Sequence, residues 1–170
     1  ENRVDFRLDE SGLWYWRVEE ANVVTVNVSS SAAFTDFNWH HVALVRENDN
    51  YYIYIDGVNR TSSGSPDSST PPTLAGPVYI GHLNSNTHYF PGYLDEIRVS
   101  DTCRYPSGTG FTPTSTQFVS DANTLLLIHG GEAKSGTTGS GATFTDSGNT
   151  GHTVTENGNA IESTGNLYKF

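Results

Sequence analysis

The sequence predicts an all-β protein built from short antiparallel strands. Runs of β-branched and aromatic residues recur along the chain, and Gly, Pro, Asn and Asp residues separate them, as in hairpins. Residues 37–100 contain no segment with the apolar period of an amphipathic helix. The 170 residues include 17 glycines and 12% aromatic residues, and this length and composition suit one β-sandwich domain.

The beginning of the chain contains three predicted strands. Residues 4–8 and 12–18 alternate between apolar and polar side chains on either side of a Ser-Gly turn, which indicates a hairpin. Residues 23–28 follow as a third strand. Its alternation places three valines on one face, namely Val24, Val26 and Val28.

Residues 37–100 are the stretch around which the remaining strands are organised. The runs 41–46 and 51–55 are predicted strands, because they are apolar or rich in β-branched and aromatic residues. The turn-forming residues 47–50 join the two runs as a hairpin. An Asp-Gly dipeptide at 56–57 then ends the second strand.

Three further strands are predicted towards the end of the chain. Two of them, 78–80 and 93–99, each follow a pair of glycine and proline residues. The third, 124–129, reads TLLLIH, a continuous apolar run typical of a strand buried on both faces. The polar segments 61–73 and 136–141 are predicted to be a surface loop and a linker.

The charge balance excludes two kinds of partner. Nine basic against nineteen acidic residues give a formal charge of −10, which repels nucleic acid and anionic lipid head groups. No run of about 18 apolar residues is present, so no membrane insertion is expected. The single cysteine, Cys103, allows no intrachain disulfide and is interpreted as a small buried residue. Because the chain begins at Glu1, we interpret it as a processed product or a piece of a longer protein.

Four ordered motifs give the chain a family resemblance. They are WHHVALVR at 39–46, YIDG at 54–57, YIG at 79–81 and GYLDEIRV at 92–99. In order and spacing they resemble the laminin G-like branch of the concanavalin A-like lectin/glucanase fold. The resemblance covers residues 6–118 and implies an antiparallel β-sandwich of the jelly-roll type.

The resemblance also bears on the domain organisation. Residues 102–105 and 111–113 are similar to a variant that occurs in tandem copies in phage tail and virion proteins. The elements LLLIHG and TFTDS, which open a full repeat of this family, here come last, within 121–170. We therefore interpret residues 1–120 as a laminin G-like jelly roll that lacks its opening strands.

Residues 121–170 then have two interpretations. They are the opening strands of a following repeat, which we favour, or strands that complete the same sandwich. A sandwich without its opening strands has uncovered sheet edges, and such edges pair with neighbouring strands. We therefore expect the piece to be oligomeric or held in a larger assembly.

The carboxylates favour a protein that is not an enzyme. Adjacent strand residues point to opposite faces, so Asp95 and Glu96 cannot flank one glycosidic bond as acid and base. The E-x-D-x-E pattern of laminarinase-type glucanases is absent, and the six histidines form no zinc pattern. Related domains bind calcium through oxygen ligands, so the resemblance implies calcium as a cofactor. Its candidate ligands are Asp36, Asp56 and Asp95.

Aromatic and polar side chains supply the candidate ligand-binding residues. Trp14 and Trp16 share one strand face, where indole rings either stack on sugars or fill the core. The segment 83–90 (LNSNTHYF) is polar with an aromatic end, as in a recognition loop. Its candidate ligand-binding residues are Asn84, Asn86, His88, Tyr89 and Phe90.

Together these features predict a non-catalytic structural and adhesive repeat of a viral surface, tail or fibre protein. We expect it to bind glycans, at the virion surface or otherwise outside the cell. Its expected partners are host surface polysaccharides and other copies or subunits of a larger assembly. A concanavalin A-like glycoside hydrolase and a purely architectural spacer are the alternatives.

Overall fold

The computed structural model describes residues 2–62, 73, 75–83, 88–106, 109–130 and 144–155. This part of the chain contains eight strands in three antiparallel sheets and no helix, which confirms the all-β fold class. The chain divides into two compact units. Unit 1 comprises residues 1–87 and 103–113, and unit 2 comprises residues 88–102 and 114–170.

Sheet I of unit 1 is formed by the three strands predicted at the beginning of the chain. They are β1 (Arg3–Leu8), β2 (Trp14–Glu20) and β3 (Val23–Ser29), and they pair in chain order. Ala21 and Asn22, between β2 and β3, have φ angles of 48° and 66°. Two consecutive positive φ angles are what a type I′ hairpin turn requires.

One predicted strand face is wrong. Val26 is fully buried, but Val24 is 42% exposed. The pairing register shifts so that Val18 lies opposite Val26 and Glu19 opposite Val24. Thr25 is therefore an extra residue, a β-bulge, and the bulge turns Val24 to the outer face of the sheet.

Sheet II of unit 1 is formed by the predicted central hairpin and a short third strand. Its strands are β4 (Val42–Glu47), β5 (Asn50–Ile55) and β6 (Val58–Asn59), again in chain order. The β4–β5 turn has positive φ at Asn48 and Asp49, and the β5–β6 turn has positive φ at Asp56 and Gly57. Both predicted turns are thus confirmed, with the conformation that Asn, Asp and Gly tolerate best.

The two sheets of unit 1 pack face to face across one apolar core. β2 and β3 contribute valines that are fully buried, and β5 contributes Tyr51, Ile53 and Ile55, each at most 2% exposed. Partly buried side chains surround this cluster, namely Val4, Phe6, Trp14, Trp16, Phe34, Val42 and Leu44. Unit 1 is therefore a β-sandwich. The face of sheet I that points away from this core is called the outer face below.

The outer side of sheet II is covered by residues 103–106 and 109–113 of the same unit. Tyr54 is fully buried there, with its ring centroid 5.5 Å from that of Phe111 and its hydroxyl donating to the Pro106 carbonyl. Tyr105 stacks on Phe111 with centroids 3.7 Å apart. Phe111 therefore anchors this segment of the chain to sheet II.

Unit 2 contains a third sheet, made by two strands. β7 (Ile97–Ser100) pairs antiparallel with β8 (Thr124–Ile128), so that Ile97 lies opposite Ile128. Leu127 and Ile128 are 1% and 5% exposed, but Leu125 is 36% exposed. The prediction that this apolar run is buried on both faces is therefore only partly correct.

Two strand predictions need correction. The predicted strand 93–99 begins only at Ile97, because Glu96 has a φ of 52° and this left-handed conformation interrupts an extended chain. The predicted strand 78–80 does not form. No strand of the described residues pairs with it, and Val78 is 80% exposed.

Candidate functional site

The outer face of sheet I carries an ordered set of charged and polar side chains. Strand alternation sends every second residue of β1 and β2 to this face. Register places Asp5 opposite Arg17 and Arg7 opposite Tyr15, and Arg17 lies opposite Asn27 on its other side. The inward-facing residues of the same strands form the core, so the two faces differ sharply in chemistry.

Ion pairs link the charged residues of this face into a ladder. Arg3 Nε lies 3.0 Å from Asp5 Oδ2, and Arg7 Nε lies 3.4 Å from Asp5 Oδ1. Arg3 Nη2 and Arg17 Nη2 both contact Glu19 Oε2, at 3.2 and 3.1 Å. The Asp5 side chain is only 7% exposed, and its contacts with two guanidinium groups offset the cost of its burial.

An open pocket of about 440 Å³ lies on this face. It is lined by six side chains, namely Arg7, Asp9, Tyr15, Arg17, Val24 and Asn27. Val24 is there because of the β-bulge. Asp9 is already engaged, since hydrogen bonds from the Leu13 amide and the Ser11 side chain lower the pKa of its carboxyl.

The arginines of the pocket keep donors available. Arg7 forms an ion pair with Asp5 through Nε, and Arg17 forms an ion pair with Glu19 through Nη2. Nε of both arginines is buried and makes no hydrogen bond, so the donors available to a ligand are on their terminal nitrogens. The sequence interpretation missed this site, although alternating charges of opposite sign in β1 and β2 were a visible signal.

The predicted aromatic ligand residues of β2 lie on the opposite face. Trp14 and Trp16 both pack against the core of unit 1. The Trp14 ring centroid is 4.9 Å from that of Phe6, and the Trp16 centroid is 5.8 Å from that of Tyr51. Their position favours the second of the two roles considered for them, which is core packing.

The predicted recognition loop is described only in part. Asn84 and Asn86 lie outside the described residues. His88 has a φ of 58°, and Tyr89 is 62% exposed. Phe90 is half-buried and lies beside Gly92, where an added Cβ would be 3.0 Å from its ring. A ligand-binding role for this loop stays a prediction.

Two of the predicted metal ligands meet around a histidine. His40 Nε2 lies 2.7 Å from Asp36 Oδ1, and His40 Nδ1 lies 2.7 Å from Asp56 Oδ2. Burial lowers the pKa of His40, but hydrogen bonds to the two carboxylates outweigh it and leave that pKa raised. The same contact to His40 lowers the pKa of Asp36. The three side chains thus favour a positively charged imidazole held between two carboxylates.

This arrangement does not suit calcium, which takes about six to eight oxygen ligands. The imidazole ring already contacts one oxygen of Asp36 and one of Asp56. Asp95, in unit 2, accepts the amides of Glu96 and Gly130 with Oδ1. In the described part of the chain, no three His, Cys, Asp or Glu residues are grouped to hold a metal ion. Calcium binding stays a prediction.

The adjacent carboxylates of the GYLDEIRV motif bind segments of the chain that follow it. Asp95 Oδ1 accepts the amide of Gly130 at 2.6 Å. Glu96 accepts the amide of Phe118 at 2.7 Å and lies 2.8 Å from His129 Nδ1. Both side chains of the Glu96–His129 pair are at most 12% exposed. The two carboxylates therefore fasten the chain after β7 and after β8.

Asp146 plays a similar part for the residues that follow β8. Its carboxylate is 1% exposed and accepts the amides of Leu127, Gly148 and His152, at 2.9, 2.7 and 2.8 Å. Burial raises the pKa of Asp146, but these amides and the His152 ring outweigh burial and hold that pKa far below its ordinary value. Asp146 thus stays ionised and fixes its turn to the strand.

Two antiparallel sheets around one apolar core place unit 1 in the class of β-sandwich proteins. The laminin G family model, described as the concanavalin A-like lectin/glucanases superfamily, matches residues 1–107. The chain therefore belongs to this family, as the four motifs predicted.

The other comparisons add no relative. No curated protein and no solved structure matches the chain. Among the described residues, no helix is both long enough and apolar enough to cross a membrane.

Proposed function

We propose that this chain is a non-catalytic, glycan-binding module of a structural protein. The observation that carries the proposal is the open pocket on the outer face of sheet I. Membership of a lectin-containing superfamily supports a carbohydrate-binding or structural role.

The chemistry of the pocket suits a saccharide. The Tyr15 ring offers an apolar surface for the C–H face of a sugar, and its hydroxyl gives that ring a polar tip. Asn27 is exposed and carries both a donor and an acceptor for sugar hydroxyls. Since the side chains project from paired strands, their spacing is fixed before a ligand arrives, which limits the entropy lost on binding.

A glycan array tests this proposal. We expect binding of the unmodified chain, and loss of it in Tyr15→Ala and in Asn27→Ala. Tyr79→Ala is the matched control, because Tyr79 is also in unit 1 and 43% exposed but does not line the pocket. Tyr89→Ala tests the predicted loop. Loss of binding in Tyr89→Ala with full binding in Tyr15→Ala would move the site to that loop.

The proposal that the protein is not an enzyme has its own test. It is supported by the commitment of Asp95 and Glu96 to backbone amides, which leaves neither carboxylate poised as the acid and base of a glycosidase. Incubation with β-glucans and other polysaccharides is expected to release no sugar above background. Catalytic release would establish a hydrolase instead.

We also propose that the chain is a repeat of a viral surface, tail or fibre protein, located on the virion or outside the cell. The motif around Tyr105 and Phe111, which resembles that of tandem phage repeats, supports this context. β8 pairs with β7, which contains the end of the GYLDEIRV motif. This pairing supports assignment of β8 and the motif to one structural unit. The gene on either side of this segment provides the test, since further copies of the four motifs are expected there.

A further inference from the structure

We propose that the outer edge of β1 is the interface of a dimer, in which β1 of a second copy of this chain pairs with it antiparallel. The two three-stranded sheets then form one continuous sheet around a twofold axis. This inference goes beyond glycan binding and does not depend on it, because it concerns the backbone edge of sheet I.

One edge of β1 can accept another strand. β1 lies at the end of sheet I, and β2 is its only partner strand among the described residues. The Asp9 amide donates to the Leu13 carbonyl, which continues the register of the hairpin. By alternation, the odd-numbered residues of β1 therefore direct their backbone groups to β2. The N–H and C=O groups of Val4, Phe6 and Leu8 point away from β2, along the outer edge.

β1 lacks the usual devices that protect an edge strand from pairing. It is six residues long and contains neither proline nor lysine, and no β-bulge interrupts its pairing with β2. Val4 and Phe6 pack against the core but are only partly buried, so a strand added at this edge covers apolar surface. The charges of β1 are left to decide which strand it accepts.

These charges are complementary to themselves in one register. A twofold axis perpendicular to the sheet keeps the outer faces of both copies on one side, so residues of the same face lie opposite each other. In the register centred on Phe6, Asp5 of each copy lies opposite Arg7 of the other. The opposed pairs are Arg3 with Asp9, Val4 with Leu8, Asp5 with Arg7, and Phe6 with Phe6.

The neighbouring registers oppose like charges. Centring the pairing on Asp5 places Asp5 opposite itself and Arg3 opposite Arg7. Centring it on Arg7 places Arg7 opposite itself and Asp5 opposite Asp9. Directly opposed unlike charges stabilise a strand pair, and like charges destabilise it. β1 therefore accepts a copy of itself in the register centred on Phe6.

The backbone geometry suits this register. Val4, Phe6 and Leu8 become the hydrogen-bonded pairs, because their backbone groups point along the outer edge. The charged residues become the non-hydrogen-bonded pairs, in which opposed side chains are closer together. In the dimer the outer faces of both copies form one surface, and the two pockets open on the same side of it.

The formal charge of −10 does not prevent this contact. Residues 3–9 carry two arginines and two aspartates, so the paired segments are neutral. At about 0.15 M ionic strength, exposed charges more than about 8 Å apart are largely screened. Opposed side chains in a strand pair are only about 5 Å apart. The complementary charges of β1 therefore act at a distance where the other charges of the two copies are screened.

Analytical ultracentrifugation of the full chain at about 0.15 M salt tests for the dimer. We expect the unmodified chain to dimerise between micromolar and millimolar concentration. Arg7→Glu opposes like charges on both sides of the axis and is expected to weaken dimerisation at least about tenfold. Arg46→Glu is the charge-matched control, since Arg46 pairs with Asp49 in the β4–β5 turn of sheet II. Circular dichroism and melting temperature verify the fold of each variant.

Two results of this experiment would overturn the proposal. One is a monomer at every concentration of the unmodified chain. The other is equal weakening of the dimer by Arg7→Glu and Arg46→Glu, which would trace the effect to net charge and remove β1 from the interface.

Disulfide cross-linking tests the register without adding a charge. Cys103 is the only native cysteine, so the variants carry Cys103→Ser. A mixture of Asp5→Cys and Arg7→Cys chains is expected to form a cross-linked heterodimer, because the Cα atoms of such opposed residues are about 4.5 Å apart, within the range of a disulfide. Each variant alone is expected to stay without a cross-link, since it opposes itself only in a register with like charges. Self-linking of either variant, or no link in the mixture, would overturn the register.

Discussion

Replacement of Asp146 by asparagine is expected to loosen the attachment of residues 146–152 to β8. The carboxylate is 1% exposed and accepts three backbone amides. A hydrogen bond to a charged group contributes about 1.5–3 kcal/mol, against about 0.5–1.5 kcal/mol for a neutral one. Asparagine keeps one oxygen for the Leu127 and Gly148 amides but places an NH2 donor where Oδ2 accepts the His152 amide. Two hydrogen bonds are thus weakened and one is lost, which lowers the free energy of unfolding of this region by about 3 kcal/mol.

Amide hydrogen exchange is the assay that locates this effect. The three tryptophans, Trp14, Trp16 and Trp39, all belong to unit 1, whereas β8 belongs to unit 2, so the assay has to be one that reads individual residues of unit 2. We expect Asp146→Asn to speed exchange at Leu127 and Gly148 about a hundredfold, which corresponds to about 3 kcal/mol. Asp101→Asn is the control, since the exposed Asp101 carboxylate makes no hydrogen bond to a described residue.

The pH dependence gives the same prediction an independent check. Because the folded pKa of Asp146 is lowered, its contribution is present above the unfolded pKa of about 3.9 and is lost as pH falls through the folded value. The wild-type chain is therefore expected to lose protection in acid, and Asp146→Asn to lose less. Equal protection at Leu127 in wild type and variant at neutral pH would refute the reasoning.

Three further predictions concern His40, Gly57 and calcium. The folded pKa of His40 is raised, so its stabilising contribution is full below about pH 6.5 and is lost as pH rises through the folded value. His40→Gln should reduce the change in melting temperature over the pH range in which His40 loses its proton. An unchanged pH dependence would contradict the ion pairs. Gly57→Ala should destabilise the chain by at least about 2 kcal/mol in urea unfolding, because the φ is +77° and a Cβ would meet the Phe111 carbonyl oxygen at 1.6 Å. Gly76→Ala, with no atom within 4 Å of its Cβ, is the control. Calcium binding at Asp36, Asp56 or Asp95 stays a prediction, and the melting temperature measured with and without a calcium chelator tests it. Calcium at a hundred times its dissociation constant would add about 2.7 kcal/mol, and a corresponding fall would reveal such a site.

Local sequence patterns were sufficient to predict most of the fold of unit 1. The hairpin at β4 and β5 follows from two apolar runs around residues that tolerate positive φ, and the structure has positive φ at Asn48 and Asp49. The bulge at Thr25 could not be predicted from the sequence of β3 alone. A bulge depends on how two strands pair, and alternation within one strand carries no information about its partner.

The same holds for the candidate site: alternation within a strand predicts which side chains share a face, but contacts between distant segments could not be predicted. Trp14 and Trp16 were correctly placed on one face of β2, but the sequence left open whether that face is the core. Once the core is known, the opposite face follows by alternation, and with it Tyr15 and Arg17. The contacts of Asp95 to Gly130 and of Glu96 to His129 join residues more than thirty positions apart, which no local pattern specifies.

The order of strands in sheets I and II has a consequence for how the chain is made. In both sheets, neighbours in sequence are neighbours in space, and hairpins of this kind close within about 1–10 μs. Sheet I can thus form as soon as Ser29 leaves the ribosome. Its apolar face is covered only when β4 to β6 arrive, some thirty residues later, and synthesis at about 5–20 residues per second makes that interval about 1.5–6 s. For those seconds the apolar face of sheet I, rich in tryptophan and valine, is exposed on the nascent chain. Chaperones and neighbouring nascent chains can therefore bind this face before sheet II covers it.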